Sequence, residues 1–325
     1  MNNLLFEYMD EAIDIINKST KIFIASHVNP DGDNIGSSLS LALALKKIDK
    51  EVFVLSTDGI PNDFKFLPGS ELIQDYNESM GPIDLFIAVD SSDVDRLGKN
   101  KDLIKTTNKV INIDHHISNT KFGHINIVNP KASATGELIY YFIKRLNIKI
   151  DKDIATNIYT AINTDTGKFS YDNVSSDTHR IAAELLDAGA DIKEVNINIY
   201  ESSSIERTKL FIKTLGGLKT YSNNKIAIAK ISQDILTETN TTLDDTEGIV
   251  SFIRGIGPVE VSCILKEISE KEVKVSLRSK EYVDVASICG VFNGGGHIRA
   301  AGCTINSDLN SAESLIVEEI IKKIR

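Results

Sequence analysis

Residues 27–37 read HVNPDGDNIGS and put one imidazole, His27, and two carboxylates, Asp31 and Asp33, within seven positions. They follow the apolar run KIFIAS (21–26) directly. Similar groups recur downstream: Asp90 closes DLFIAVD (84–90), Asp114, His115 and His116 follow one another in IDHHISN (113–119), and Asp165 lies in NTDTGKFSY (163–171). Taken singly, each has an ordinary reading as a turn residue, a helix cap or a solvated histidine. Taken together they form a set of acids and imidazoles that needs a cation. Oxygen and imidazole donors without cysteine suit Mn²⁺, Mg²⁺ or a similar divalent ion rather than a structural zinc. The candidates exceed the needs of one ion. Two ions ~3.5–4 Å apart, sharing a carboxylate, would use them all, an arrangement suited to phosphoester chemistry.

The elements that must position these groups can be read from periodicity. KIFIAS (21–26), EVFVLS (51–56), DLFIAVD (84–90), VINID (110–114) and HINIV (124–128) are short β-rich apolar runs, expected as buried strands. Helical patterns are expected at 36–48, 135–146 and 151–163. Such alternation predicts an α/β unit with a mostly parallel sheet flanked by helices. Ligands then bind beyond the carboxyl ends of the strands, where His27, Asp31, Asp33, Asp90, Asp114, His115 and His116 all fall. The first helix, expected to begin near Gly36–Ser38, would add free N–H groups for a phosphate.

A second, smaller α+β unit is expected from about residue 210, after a linker at 188–209. It has strands at 224–232, 259–268 and 271–279 and helices at 243–253, 283–292 and 309–324, the last capped by Ser307 or Asp308. Val273, Val275 and Leu277 alternate with Lys274, Ser276 and Arg278, so one face of that strand is apolar and the other cationic.

Of the 325 residues, 42% are hydrophobic and 25% charged, and no apolar run is long enough to span a bilayer. The first residues lack a basic leader region, and the three cysteines have no CxxC spacing, which together point to a reducing cytoplasm. A net charge of −10 without a basic run argues against long duplex nucleic acid, whose binding requires many phosphate neutralisations.

With HVNPDGDNIGS, AVDSSDVDRLG (88–98), IDHHISN and TDTGKFSY in this order and spacing, the chain resembles the DHH phosphoesterase superfamily. NGGGHIRAAG (293–302) with SLRS (276–279) resembles the DHHA1 substrate domain, and the two-domain layout is similar to the nanoRNase/pAp phosphatase type. The resemblance implies a DHH catalytic domain over 1–187 and a DHHA1 domain over 210–325 across a cleft. It also implies two Mn²⁺ ions, with Mg²⁺ or Co²⁺ as substitutes. His27, Asp31 and Asp90 would hold one ion; Asp33, Asp90, His115 and Asp165 would hold the other. Asp114 would orient His115, and His116 would face the substrate phosphate. Arg278, His297 and the Gly294, Gly295 and Gly296 backbone would grip the nucleotide, with Arg254 a weaker candidate. Asn293 stands where relatives often have a fourth glycine, a substitution that a left-handed backbone tolerates.

The implied reaction is hydroxide attack on phosphorus in short oligoribonucleotides, linear dinucleotides or 3′-phosphoadenosine 5′-phosphate (pAp), within a soluble protein for which a homodimer is compatible. A c-di-AMP phosphodiesterase and a non-catalytic nucleotide-binding regulator are the rival readings. A pyrophosphatase is disfavoured by the GGGH motif, and a dinucleotide-dependent oxidoreductase by DGDNIGS standing where GxGxxG would be.

Overall fold

The structure is a computed structural model describing residues 3–25, 27–107 and 109–325. It divides into two compact units, Met1–Ser202 and Ser203–Arg325.

The first unit is built on six parallel strands: β1 (Lys21–Ala25), β2 (Glu51–Leu55), β3 (Ile73–Gln74), β4 (Leu85–Val89), β5 (Val110–Asp114) and β6 (Ile125–Val128). Ser26, the expected end of the first strand, lies outside the described residues. Strand order is β3-β2-β1-β4-β5-β6. The chain therefore runs outward from β1, then returns to place β4 on its other side. That reversal leaves a crevice at the carboxyl ends of β1 and β4.

Both sheet faces are buried, which is why these strands read as continuous apolar runs rather than alternating ones. Ile22, Ile24, Ile87 and Val89 face a core shared with α1 (Asn3–Lys18), α2 (Gly32–Lys46), α3 (Thr135–Arg145) and α4 (Lys152–Asp165). On the other face Phe23, Ala25, Phe86 and Ala88 meet Met80, Ile83, Leu97 and Leu103, which come from irregular chain and 3₁₀ turns rather than α-helices. The N-terminal segment, read above only for a leader, is an amphipathic helix burying Leu5, Met9, Ala12 and Ile16.

Two glycines let the helices over the first face approach closely. A Cβ on Gly36 of α2 would stand 2.4 Å from the Asn157 carbonyl of α4, and one on Gly136 of α3 would stand 2.7 Å from the Ala161 side chain. This contact draws the start of α2, the start of α3 and the end of α4 to one place. The stretch expected as a linker is largely helical. After α5 (Ser176–Asp187), α6 (Ile192–Tyr200) completes the first unit, and α7 (Ile205–Gly216) opens the second.

The second unit carries β7 (Lys219–Tyr221), β8 (Ile226–Ile231), β9 (Val261–Ser269), β10 (Glu272–Ser279), β11 (Gly295–His297) and β12 (Ala300–Ile305) in the order β11-β12-β10-β9-β8-β7. All pairings are antiparallel except β8 with β9. Val273, Val275 and Leu277 pack with α10 (Val285–Gly290) and α11 (Leu309–Ile321), the latter capped by Asp308. The opposite face is covered over β8 and β9 by α7, α8 (Gln233–Thr239) and α9 (Ile249–Arg254). Their core includes no residue of β10, β11 or β12. The helix expected at 243–253 is instead a 3₁₀ turn followed by α9, because Gly248 between them adopts φ +85°.

Candidate active site

The loop after β1 starts the site. Asp31 is the N-cap of α2, its carboxylate accepting from the Asn34 backbone N–H at 3.0 Å. The helix therefore begins four residues before its expected start, and Gly36–Ser38 lie inside it. Their N–H groups are engaged in the helix, so the anion site expected there does not exist. An N-capping aspartate followed by glycine was read as a turn, although it starts a helix equally well.

His27 is buried, and its Nδ1 lies 2.8 Å from the Val28 carbonyl, which fixes the proton on that nitrogen. Its Nε2 is buried without any hydrogen-bond partner. It points at Asp90, 3.3 Å from Oδ2, and at Asp31, 3.8 Å from Oδ1. An imidazole nitrogen buried against two carboxylates, with the ring's other nitrogen already engaged, is a fitting seat for a divalent cation. Asp90 itself follows β4 with φ +56°, a left-handed backbone rare outside glycine and associated with functional strain.

A second group lies beside the first. His115 Nε2 is 3.6 Å from Asp165, 3.8 Å from Asp33 and 3.9 Å from Asp90, while its Nδ1 faces the Ala132 carbonyl at 3.2 Å. Donor atoms of His27, Asp31 and Asp90 lie within 4.8 Å of one another, as do those of Asp33, His115 and Asp165, and of Asp90, His115 and His116. All six expected ligands are thus brought together, with Asp90 common to the first and third groups.

Asp114 holds His116, not His115: Asp114 Oδ1 is 2.7 Å from His116 Nδ1. Side chains two positions apart leave an extended chain on the same side, so the aspartate reaches the second histidine and misses the first. Asn119 donates to the other Asp114 oxygen at 2.6 Å. His116 is thereby held half-buried beside the acids, its Nδ1 3.6 Å from Asp90 Oδ1.

The electrostatics show how crowded the acids are. Burial, reinforced by the charges of Asp90 and Asp165, pushes Asp33 well above the usual carboxylate range. Burial likewise raises Asp165 to about 6. Burial opposes charge on His27, but its contacts with Asp31 and Asp90 outweigh that and raise it to about 9. Without a metal the cluster borrows protons; a cation would release them.

Several positioning residues carried no signal that could be read in sequence. Thr135, at the start of α3, donates its hydroxyl to Asp90 Oδ1 at 2.8 Å and its N–H to Asp33 Oδ2 at 2.6 Å. The Gly136 N–H and the Ser37 hydroxyl also donate to Asp33, each at 2.9 Å. Asn34 holds the Val89 carbonyl, and Asn112 and Asn119 hold that of Ser91. A polar residue inside an apolar strand, Asn112, was the one available hint.

In the second unit, sheet register sets Arg278 opposite Ala300, and Ala300 opposite His297, in one row across three strands. The next row on that face is Ser276, Gly302 and Gly295. Gly294 and Gly296 have steric reasons to be glycine: a Cβ would meet the Gly302 carbonyl at 2.3 Å or the Ala300 carbonyl at 2.5 Å. Space above Gly295 is open. Asn293 adopts φ +56°, the left-handed backbone a glycine would take. Arg278 lines a hollow of about 300 Å³, and Gly294 and Gly295 line one of about 620 Å³. His297 is exposed on β11 and Arg254 ends α9; neither lines these hollows.

Comparison with known proteins places these features among relatives. Residues 21–162 match the DHH family, N-terminal domain, and residues 223–325 the DHHA1 domain. The chain is 34% identical to a bifunctional oligoribonuclease and PAP phosphatase NrnA of Thermus thermophilus, over 93% of this chain and 90% of that protein. It is 28% identical to the protein of the same name in Bacillus subtilis, over 91% and 93%. A crystal structure of an exopolyphosphatase-related protein from Bacteroides fragilis superposes with a TM-score of 0.91 at 30% identity, covering 97% of this chain and 96% of that one.

Proposed function

The chain belongs to the DHH family, and we propose that it is a metal-dependent hydrolase that cleaves short oligoribonucleotides to mononucleotides and dephosphorylates pAp to AMP. The observation that carries this reading is the buried, unpartnered Nε2 of His27, aimed at Asp31 and Asp90 beside the Asp33, His115 and Asp165 group. The substrate class is that named for the Thermus and Bacillus relatives, which align over nearly the whole chain.

His27, Asp31 and Asp90 would hold one divalent ion, and Asp33, Asp90, His115 and Asp165 a second, Mn²⁺ being the ion we favour. Bound there, such ions supply an activated water and offset charge on the phosphoryl oxygens. The protein's own contribution is orientation. Thr135 and the α3 N-terminus fix Asp33 and Asp90, and carbonyls fix both liganding imidazoles. The direct hydrogen bond to Asp114 raises the affinity of His116 for a proton. A charged His116 can hydrogen-bond a phosphoryl or leaving-group oxygen as negative charge develops there. Arg278, with His297 in its own row and Gly295 in the next, would bind the nucleotide's other phosphate.

The test is hydrolysis of pAp, pApA, c-di-AMP and pyrophosphate by metal-stripped protein with and without Mn²⁺, beside Asp90→Ala. AMP released from pAp and pApA only with Mn²⁺, and not by the variant, is the expected result. Preference for c-di-AMP would move the protein to cyclic-dinucleotide turnover. Turnover of no substrate despite bound metal would sink the catalytic reading.

A further inference from the structure

The second unit carries two more cations whose arrangement its own fold does not explain. β10 places Lys274, Ser276 and Arg278 on one face, and β9 brings Lys266 directly opposite Lys274. Like charges on facing positions of an antiparallel pair repel. Lys266 is held below the usual lysine range by burial and by Lys274 and Arg278, against the weaker pull of Asp244 and Glu247. Its one hydrogen bond goes to the Thr246 hydroxyl at 3.3 Å. Among the described residues neither Lys266 nor Lys274 has a carboxylate within ion-pair distance. Four other lysines of the unit are ion-paired: Lys219 and Lys230 with Glu313, Lys213 with Glu238, and Lys322 with Glu319.

The surface around them is only partly covered. α9 and the 3₁₀ turn before it reach the Ser276–Arg278 end of β10, whereas Lys274 and Thr304 are exposed and Ser276 and Gly302 half-exposed. Two hollows open there, sharing Ser276. The larger, of about 620 Å³, is lined by Lys274 and the Gly294–Gly295 backbone; the smaller, of about 300 Å³, is lined by Lys266 and Arg278 and, on its other wall, by Asp244 and Glu247. Lys274 and Arg278 are four residues apart on a strand, ~13 Å between Cα atoms, which is room for two separate anions.

We propose that Lys274 and Lys266 form a second phosphate subsite, set along β10 from Arg278, that holds the next phosphate of a single-stranded oligoribonucleotide. This deepens the proposed function and rests on it for the substrate class. The subsite would make substrates with several phosphates bind more tightly than a dinucleotide with one.

The experiment is equilibrium binding to the full chain in EDTA, where no hydrolysis occurs, using pApApA and the single-phosphate ApA across a salt series. Wild type is compared with Lys266→Gln/Lys274→Gln and with Lys322→Gln as a distant charge control. The paired change is expected to weaken pApApA roughly tenfold, as for loss of a charge-assisted contact. It should also make the log-log salt slope shallower by about 0.7, the value for one phosphate contact on a single strand. ApA and the control variant should shift less than about twofold on that scale. Unchanged pApApA binding, an unchanged slope, or equal weakening of ApA would overturn the subsite, as would wild type binding pApApA no better than ApA. Should the pair fail to fold, Lys274→Gln alone, at an exposed strand position, must still weaken pApApA at least about threefold. Hydrolysis by wild type with Mn²⁺ is read separately. An inactive protein with lysine-dependent binding would break the catalytic reading and keep the subsite; an active one without it would do the reverse.

Discussion

Asp33, Asp90 and Asp165 are gathered where two parallel strands and three helix ends converge, whereas Lys266, Lys274 and Arg278 lie spread along β9 and β10 at the edge of the helical cover. The acids are buried or nearly so and fixed by helix N–H groups, a threonine hydroxyl and neighbouring imidazoles. Of the cations, Lys274 is exposed and Lys266 and Arg278 are half-buried. Burial makes the first cluster costly as isolated charge, so it needs a tightly bound counter-ion and gains rigid geometry in return. Exposure makes Lys274 tolerable without a carboxylate partner, so that end of the strand suits a ligand that comes and goes. Chemistry would then reside in the first unit and affinity in the second.

The contrast breaks first at Asp90. Asp90→Ala should lower kcat for pAp by about 10³-fold or more, since it removes the shared ligand; a variant within tenfold of wild type would detach the acid cluster from catalysis. Thr135→Val leaves every ligand in place but deletes the hydroxyl bond to Asp90. Supporting groups of this kind contribute about 10–100-fold to metal affinity. Mn²⁺ titration should show that loss and its recovery in Thr135→Ser, and a valine variant binding as tightly as wild type would show the hydroxyl to be idle.

Arg278→Gln sharpens the other half. KM for pApA should rise about tenfold with kcat changed less than about threefold, the pattern of lost ground-state binding. A fall in kcat alone would place the arginine in the chemistry instead.

The smallest effect is on the stability of metal-free protein. His27 has its folded affinity for a proton raised to about 9, above its unfolded value of 6.5, so its stabilising contribution is complete below pH 6.5 and lost as pH rises through 9. Asp165 is raised to about 6, so its ionisation weakens the fold between about pH 4 and 6. Urea midpoints of the stripped protein should therefore fall with rising pH, and saturating Mn²⁺ should reverse the trend, because metal binds the deprotonated ligands. The same fall with and without metal would mean that these groups do not hold it.

Much of this was legible before any coordinates. The strands of the first unit, the six candidate ligands that the fold brings together and the cationic side of β10 follow from apolar runs, residue chemistry and two-residue alternation. The partner of Asp114 was assigned to the wrong histidine, although alternation in an extended chain already favoured His116. The start of α2 was missed because Asp31-Gly32 serves turns and helix caps alike. Thr135 gave no sign of its role, because its partners lie 45 and 102 positions away and nothing local records where a helix start will dock.

The sequence by itself determined which groups could bind a cation and that strand ends would carry them, because side-chain chemistry and periodicity are local. Only the tertiary structure decided that β4 returns beside β1, that Gly36 and Gly136 let three helices close over the acids, and that Lys274 on β10 stays exposed. Those outcomes depend on packing between segments far apart in the chain, and packing is settled only when the whole core forms.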